Sequence, residues 1–224
     1  MEHYLIFKSV NTLDLGLHMA EALPKVSPSP RYTNITVPGR DGTLTSWDGT
    51  YDVMSSTANF TVNDLTYLSE ICALFKGSGD LISSLELEKK YSAKVKTQGD
   101  FSRIIRQWHK FDVEFELQPF QKEVNPQTVT LTGPGVLYNI GTLEAKPIIK
   151  VFGSGDITLT VNGKDFIVKG SAGSAVIDSE NYLAYSGSAL LVTAGEFPRL
   201  PAGKSTISFS GASKIEITPN WRWI

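Results

Sequence analysis

The sharpest pattern in the chain lies at residues 111–118, where Phe111, Val113, Phe115 and Leu117 alternate with Asp112, Glu114, Glu116 and Gln118. A period of two puts every apolar side chain on one face of a pleated strand and every polar one on the other, so this segment predicts a half-buried antiparallel strand that Pro119 closes. A weaker version runs from Lys90 to Lys96, with Tyr91, Ala93 and Val95 on one face. Residues 3–8 form a short apolar strand, and residues 32–37 a β-branched one. The run 51–62 reads as a strand of mixed quality. Residues 23–31 hold Pro24, Pro28 and Pro30 and predict an extended loop. Pro38-Gly-Arg-Asp-Gly42 is a turn with two glycines able to take positive φ, and the stretch from Arg40 to Tyr51 reads as a loop.

The pattern turns helical only once. Leu65, Leu68, Cys72 and Phe75 recur at i, i+3, i+7 and i+10, one stripe of a helix spanning residues 63–76. Asn63 is its expected cap, Asp64 suits the positive N-terminal end, and Gly77 is the expected stop. Cys72 on that stripe reads as a small buried residue rather than a reactive thiol.

From residue 121 to residue 142 the pattern loosens into Asn125-Pro126, Gly133-Pro134-Gly135 and Gly141, which sets a domain junction there: residues 1–125 and 126–224. The second half consists of short strands separated by glycines, the spacing of a sandwich or jelly roll. Its strongest local signal is residues 157–168, where Asn162-Gly163 is the preferred two-residue turn because both central positions need positive φ. The turn sets Val161 opposite Lys164, Leu159 opposite Phe166 and Ile157 opposite Val168, and the apolar residues then share one face. Residues 175–178, 189–193, 205–210 and 214–218 are further strand candidates. The closing Pro219-Asn-Trp-Arg-Trp-Ile224 reads as the end of a last strand, its two tryptophans held against a core or an interface. The fold class is mostly β: an N-terminal β-sandwich with one helix and a hairpin, followed by a C-terminal sandwich.

Composition narrows function mainly by exclusion. A net charge of −2 over 224 residues offers no bulk attraction to nucleic acid or anionic membrane. One cysteine rules out an intrachain disulfide framework and a cysteine-built zinc site. No stretch is apolar enough for a membrane span, and the N-terminal residues lack a signal-peptide core, so synthesis and folding in a cytoplasm are expected.

Candidate chemistry is sparse. His3, His18 and His109 fall in no metal motif, and His109, just ahead of the strict strand, is expected at a turn or edge. Asp112, Glu114 and Glu116 share a strand face at a spacing of roughly 7 Å, which a glycosidase pair could use. Lys90, Lys94, Lys96, Arg103 and Arg106 supply opposite charge nearby, however, and a solvated ladder of ion pairs is the stronger reading. Gly153-Ser-Gly155 is a glycine-rich turn ahead of a strand, without the helix N-terminus that binds phosphate. No catalytic, cofactor-binding or metal-binding residue is expected.

Three segments in order resemble the distal tail protein family of long-tailed, non-contractile phages: Val37-Pro-Gly-Arg-Asp-Gly-Thr-Leu44; Trp108-His-Lys-Phe-Asp-Val-Glu-Phe-Glu-Leu-Gln-Pro-Phe120; and, through the second half, Asn139-Ile-Gly-Thr142, Lys146-Pro-Ile-Ile-Lys-Val-Phe-Gly-Ser-Gly-Asp156, Ile177-Asp-Ser-Glu180, Gly195-Glu-Phe-Pro-Arg-Leu200, Gly203-Lys204 and Pro219-Asn-Trp-Arg222. The resemblance implies a homo-hexameric ring at the virion tail tip, assembled in a bacterial cytoplasm. It implies an N-terminal domain that builds the ring and an outward C-terminal galectin-like domain, and as partners the tail tube protein, the tip protein and receptor-binding components. It implies neither enzyme activity nor a cofactor. The galectin likeness concerns fold only, because the chain has no His-x-Asn-x-Arg pattern, and no added sugar-binding insertion is expected. Arg40, Leu44, Trp47 and Tyr51 are the candidate interface residues. The competing readings are a carbohydrate-binding adhesion module that recognises host cell-wall glycan and a glycan hydrolase using the strand carboxylates.

Overall fold

The computed structural model describes residues 2–105 and 108–224. It is mostly β, with one short α-helix among the described residues, and it divides into two compact units, Met1–Val124 and Asn125–Trp223.

In the first unit the strands are β1 (Leu5–Phe7), β2 (Val10–Asn11), β3 (Leu17–His18), β4 (Pro30–Ile35), β5 (Leu44–Tyr51), β6 (Met54–Val62), β7 (Ser78–Ser83), β8 (Lys89–Gln98), β9 (Ser102–Ile105), β10 (Trp108–Leu117) and β11 (Lys122–Glu123). Nine of them make one sheet in the order β2-β1-β7-β8-β10-β6-β3, with β11 added on β8 and β9 on β10. β10 lies inside the sheet between β8 and β6, and its expected alternation is realised: Phe111, Val113, Phe115 and Leu117 are all buried. They meet Ala58, Phe60 and Val62 of β6 and an aromatic cluster of Phe7, Phe60, Phe75, Phe111 and Phe115, with ring centroids 5.5–6.3 Å apart. Such a cluster supplies area burial and favourable tilted and edge contacts together.

The helix α1 is shorter than its pattern suggests, spanning Leu68–Leu74. Asn63 does not cap it. Asp64 instead accepts bonds from the amide and hydroxyl of Thr66, at 2.9 and 2.7 Å, a local turn that competes with helix initiation. Of the expected stripe, Phe75 is buried, Leu65 packs partly buried against the same core and Cys72 is half-buried rather than buried, while Ile71 and Leu74 are the further buried residues of the helix. Gly77 does take the left-handed conformation just past the helix, with φ of 72°.

The second unit holds β12 (Val129–Leu131), β13 (Gly135–Asn139), β14 (Ile148–Val161), β15 (Lys164–Asp178), β16 (Leu183–Ser186), β17 (Ala189–Leu190), β18 (Thr193–Gly195), β19 (Gly203–Ser210) and β20 (Lys214–Thr218), again in one sheet. The β14–β15 hairpin organises it. Its turn and register are those expected, with Asn162 and Gly163 at φ of 51° and 78°, and Ile157, Leu159, Val161, Phe166 and Val168 all buried. The pairing continues well beyond the expected strands, to Ile148↔Asp178. The first half of β14 also pairs with β20 and the second half with β19, so one long strand serves two neighbours.

Gly153 and Gly155 are therefore not a turn before a strand but part of β14, opposite Gly173 and Ser171. A Cβ on Gly153 would lie 2.2 Å from the carbonyl oxygen of Gly211, so only glycine permits that backbone approach. The last strand ends at Thr218, and the tryptophans follow it rather than sitting on it; Trp221 is buried, and Trp223 packs against the same core. Arg222 pins this tail. Its carbonyl accepts the Thr142 amide at 3.0 Å, and its guanidinium bonds the Glu144 carbonyl, while burial pushes its pKa down.

Candidate assembly interface

Strands β4 and β5 form a two-stranded arm that shares no ladder with the nine-stranded sheet of its unit. The segment from Leu44 to Tyr51, expected as a loop, is its second strand. The tip is a type II turn: the Arg40 amide donates to the Val37 carbonyl at 3.2 Å, Pro38 fills the first central position, and Gly39 takes φ of 79° at the second.

Register decides which side chains meet. Tyr32 stands opposite Trp47 and Asn34 opposite Thr45, on one face, while Thr33 stands opposite Ser46 and Ile35 opposite Leu44, on the other. Each face thus carries one large apolar pair, and neither pair is covered: Tyr32, Ile35, Leu44 and Trp47 are 45–56% exposed. An isolated two-stranded ribbon in water is marginal at best, and an exposed strand pair with apolar side chains is a ready template for another protein.

The arm is anchored at its base. Opposite Arg31 the partner strand carries three residues, Asp48, Gly49 and Thr50, a bulge that twists the ribbon. The Trp47 indole N–H donates to the Thr50 carbonyl at 2.9 Å. Hydrogen bonds from the Thr50 hydroxyl and amide hold the Asp48 carboxylate below its usual range. Trp47 meets Tyr51 edge-on at 5.7 Å, and Tyr51 meets Phe120 at 5.3 Å, which ties the ribbon to the segment just past β10. Arg31 donates to Asp52 at 2.8 Å.

Of the four candidate interface residues, the fold brings Trp47 and Tyr51 into contact, sets Leu44 on the opposite face and leaves Arg40 at the tip turn. Sequence reading passed over Tyr32 and Ile35, which complete the two apolar pairs. The signal was present as two apolar residues either side of the turn, but an alternation shared between both faces does not look like a strand that buries one.

The other candidates stay apart. Glu114 takes Lys96 at 2.8 Å, which holds its carboxylate below the usual range, and Glu116 stands opposite Lys94. Lys90 turns instead to Asp80 at 2.7 Å. The side chain of Arg103, and Arg106, lie outside the described residues. His109 lies within β10, between β6 and β9, rather than at a turn or edge, because the strand begins at Trp108. His18 pairs with Glu2 at 2.7 Å. Among the described residues no three His, Cys, Asp or Glu side chains converge as a metal site, and no helix is long and apolar enough to cross a membrane.

No family model matches the chain, and no curated protein matches it. Among solved structures it is similar to the SPP1 Dit (gp 19.1) protein, a paradigm of the hub adsorption apparatus in phages that infect Gram-positive bacteria. The two superpose with a TM-score of 0.78 at 13% identity, over 99% of each chain. The chain therefore has, from end to end, the fold of that phage hub protein.

Proposed function

We propose that this protein is a non-enzymatic phage tail-tip hub. Six copies form a ring in which residues 1–125 build the contacts between copies and residues 126–224 face outward. The ring joins the tail tube to the tip protein and to receptor-binding components. The observation that carries the reading is a fold likeness that spans both units, since a single shared sandwich would say little about role. The arm supports it. In a cyclic ring each copy offers different surfaces to its two neighbours, and a ribbon with an apolar pair on each face suits a place between surfaces of adjacent copies. Arg40 at the tip and Leu44, Trp47 and Tyr51 along the ribbon are the residues assigned to that contact.

Light scattering on the purified chain, together with gold labelling of virions that carry it, tests the reading. A particle of about six chains and label confined to the tail tip are expected. A chain that stays monomeric at every concentration and is absent from tail tips would overturn it.

A further inference from the structure

The second unit carries an open strand edge that the ring contact does not use. Among the described residues β13 pairs with β19 alone, so alternate residues along its other side turn their N–H and C=O groups away from any ladder. The remaining strands of this unit with a single partner, β12, β17 and β18, run for three, two and three residues, whereas β13 runs for five. Short strands, lysines and prolines are the usual protection of an edge. Residues 135–139, Gly-Val-Leu-Tyr-Asn, have none of these.

The strand is held in place from within. Leu137 packs against the core beneath it, and the Asn139 side-chain amide donates to the Leu143 and Leu200 carbonyls at 2.8 and 2.9 Å. The opposite face is apolar and bare. Val136, Tyr138 and, just beyond the strand, Ile140 are 45%, 63% and 64% exposed, the last two more than any large apolar side chain of the arm. Beside this stripe on β19, Thr206 stands opposite Val136 and Lys204 opposite Tyr138. Lys204 has no carboxylate partner among the described residues.

We infer that β13 is a docking edge for an extended segment of another protein, which adds to it as one more strand. The backbone of the segment completes the open ladder, and the alternation of its side chains decides which segment fits. Positions opposite Val136 and Ile140 call for apolar residues, since apolar cross-strand pairs are stabilising. The position opposite Tyr138 calls for a glutamate. Lys204 lies two strand spacings from it, roughly 10 Å at about 4.8 Å each, within the joined reach of two long side chains, and the acid supplies the charge this surface lacks. The choice of another protein over a second copy rests on the ring reading. Two β13 edges pair antiparallel only across a two-fold axis, whereas neighbours in a ring of six are related by one sixth of a turn and the second units lie on its outside. No copy in that ring therefore meets the β13 edge of another.

Amide hydrogen exchange on the full-length protein tests this, read by mass spectrometry with fragmentation to single residues. The probe is the peptide acetyl-Thr-Val-Thr-Glu-Thr-Val-Thr-amide, which reads the same in both directions and so fits a parallel or an antiparallel addition. At a peptide concentration ten times Kd, exchange at alternate amides of residues 135–139 should slow about tenfold. The double variant Val136→Lys/Ile140→Lys charges the edge at two exposed positions, on which folding does not depend, and should abolish the slowing. Lys204→Ala should weaken binding of this peptide several-fold and leave unchanged that of the same peptide with glutamine in place of glutamate. Absence of slowing, slowing that persists in the charged-edge variant, or slowing at these residues that appears without peptide as protein concentration rises, the mark of a second copy, would each overturn the inference. Particle mass is read separately: a monomer whose β13 takes the peptide would sink the ring and leave the edge, and a ring whose β13 ignores it would do the reverse.

Discussion

Two hairpins in this molecule are built from similar sequence material and behave in opposite ways. In β14–β15 the apolar residues next to the turn fall on one face, and Ile157, Leu159, Val161, Phe166 and Val168 are all buried. In β4–β5 they fall on both faces, Tyr32 with Trp47 on one and Ile35 with Leu44 on the other, and all four stay exposed. A hairpin has only two faces, and a domain core can cover just one side of a protruding ribbon. The first pattern is therefore a folding element. The second is left uncovered by its own unit, and in the proposed ring a neighbouring copy would cover it. What separates them is not hydrophobicity but which face each residue occupies.

The most severe way to test that contrast is to cut into the buried face. Leu159→Ala removes a fully buried side chain from the second core and should cost about 2–5 kcal/mol, read as a large shift in the urea midpoint of unfolding. A smaller loss is expected at the turn. Gly163→Ala forces a side chain onto φ of 78°, and at roughly 1–2 kcal/mol for a left-handed L-residue it should lower the midpoint without altering assembly.

The arm should invert the relation between stability and function. Trp47→Ala and Leu44→Ala remove half-exposed side chains, and each should change unfolding free energy by no more than about 1 kcal/mol. Both should nevertheless weaken association between copies, seen as a smaller mass in light scattering. If Trp47→Ala left the particle mass and tail assembly at wild-type values, its assignment to the interface would fall. The smallest effect belongs to the ion pair at the base of the arm. Arg31 and Asp52 are both more than half exposed, so solvent and salt screen them. Arg31→Ala should leave the melting temperature and the particle mass at wild-type values, whereas a clear loss of assembly would show that the base orients the arm.

Much of this was legible in the residues. Strict alternation at Phe111–Leu117 and the Asn162-Gly163 turn are signals carried by neighbours in the chain, and both appear in the fold with the expected faces and register. The helix was legible in kind but not in extent, because Asp64 satisfies the Thr66 amide locally and delays it to Leu68. At the candidate interface the turn at Pro38-Gly39 could be read, and Leu44 and Trp47 were picked out, but the second strand of the arm was missed along with the partners Tyr32 and Ile35.

By itself the sequence determined the β character, the single helix and the local register at one turn, since each rests on interactions between residues close in the chain. Only the tertiary structure decided that Gly153 must yield to the Gly211 carbonyl, that β14 serves two neighbours along its length, and that Lys164, Glu196, Arg199 and Glu144 line a common cleft. Those facts are meetings between residues distant in sequence. Periodicity states which way a side chain points, and only the folded backbone states what it points at.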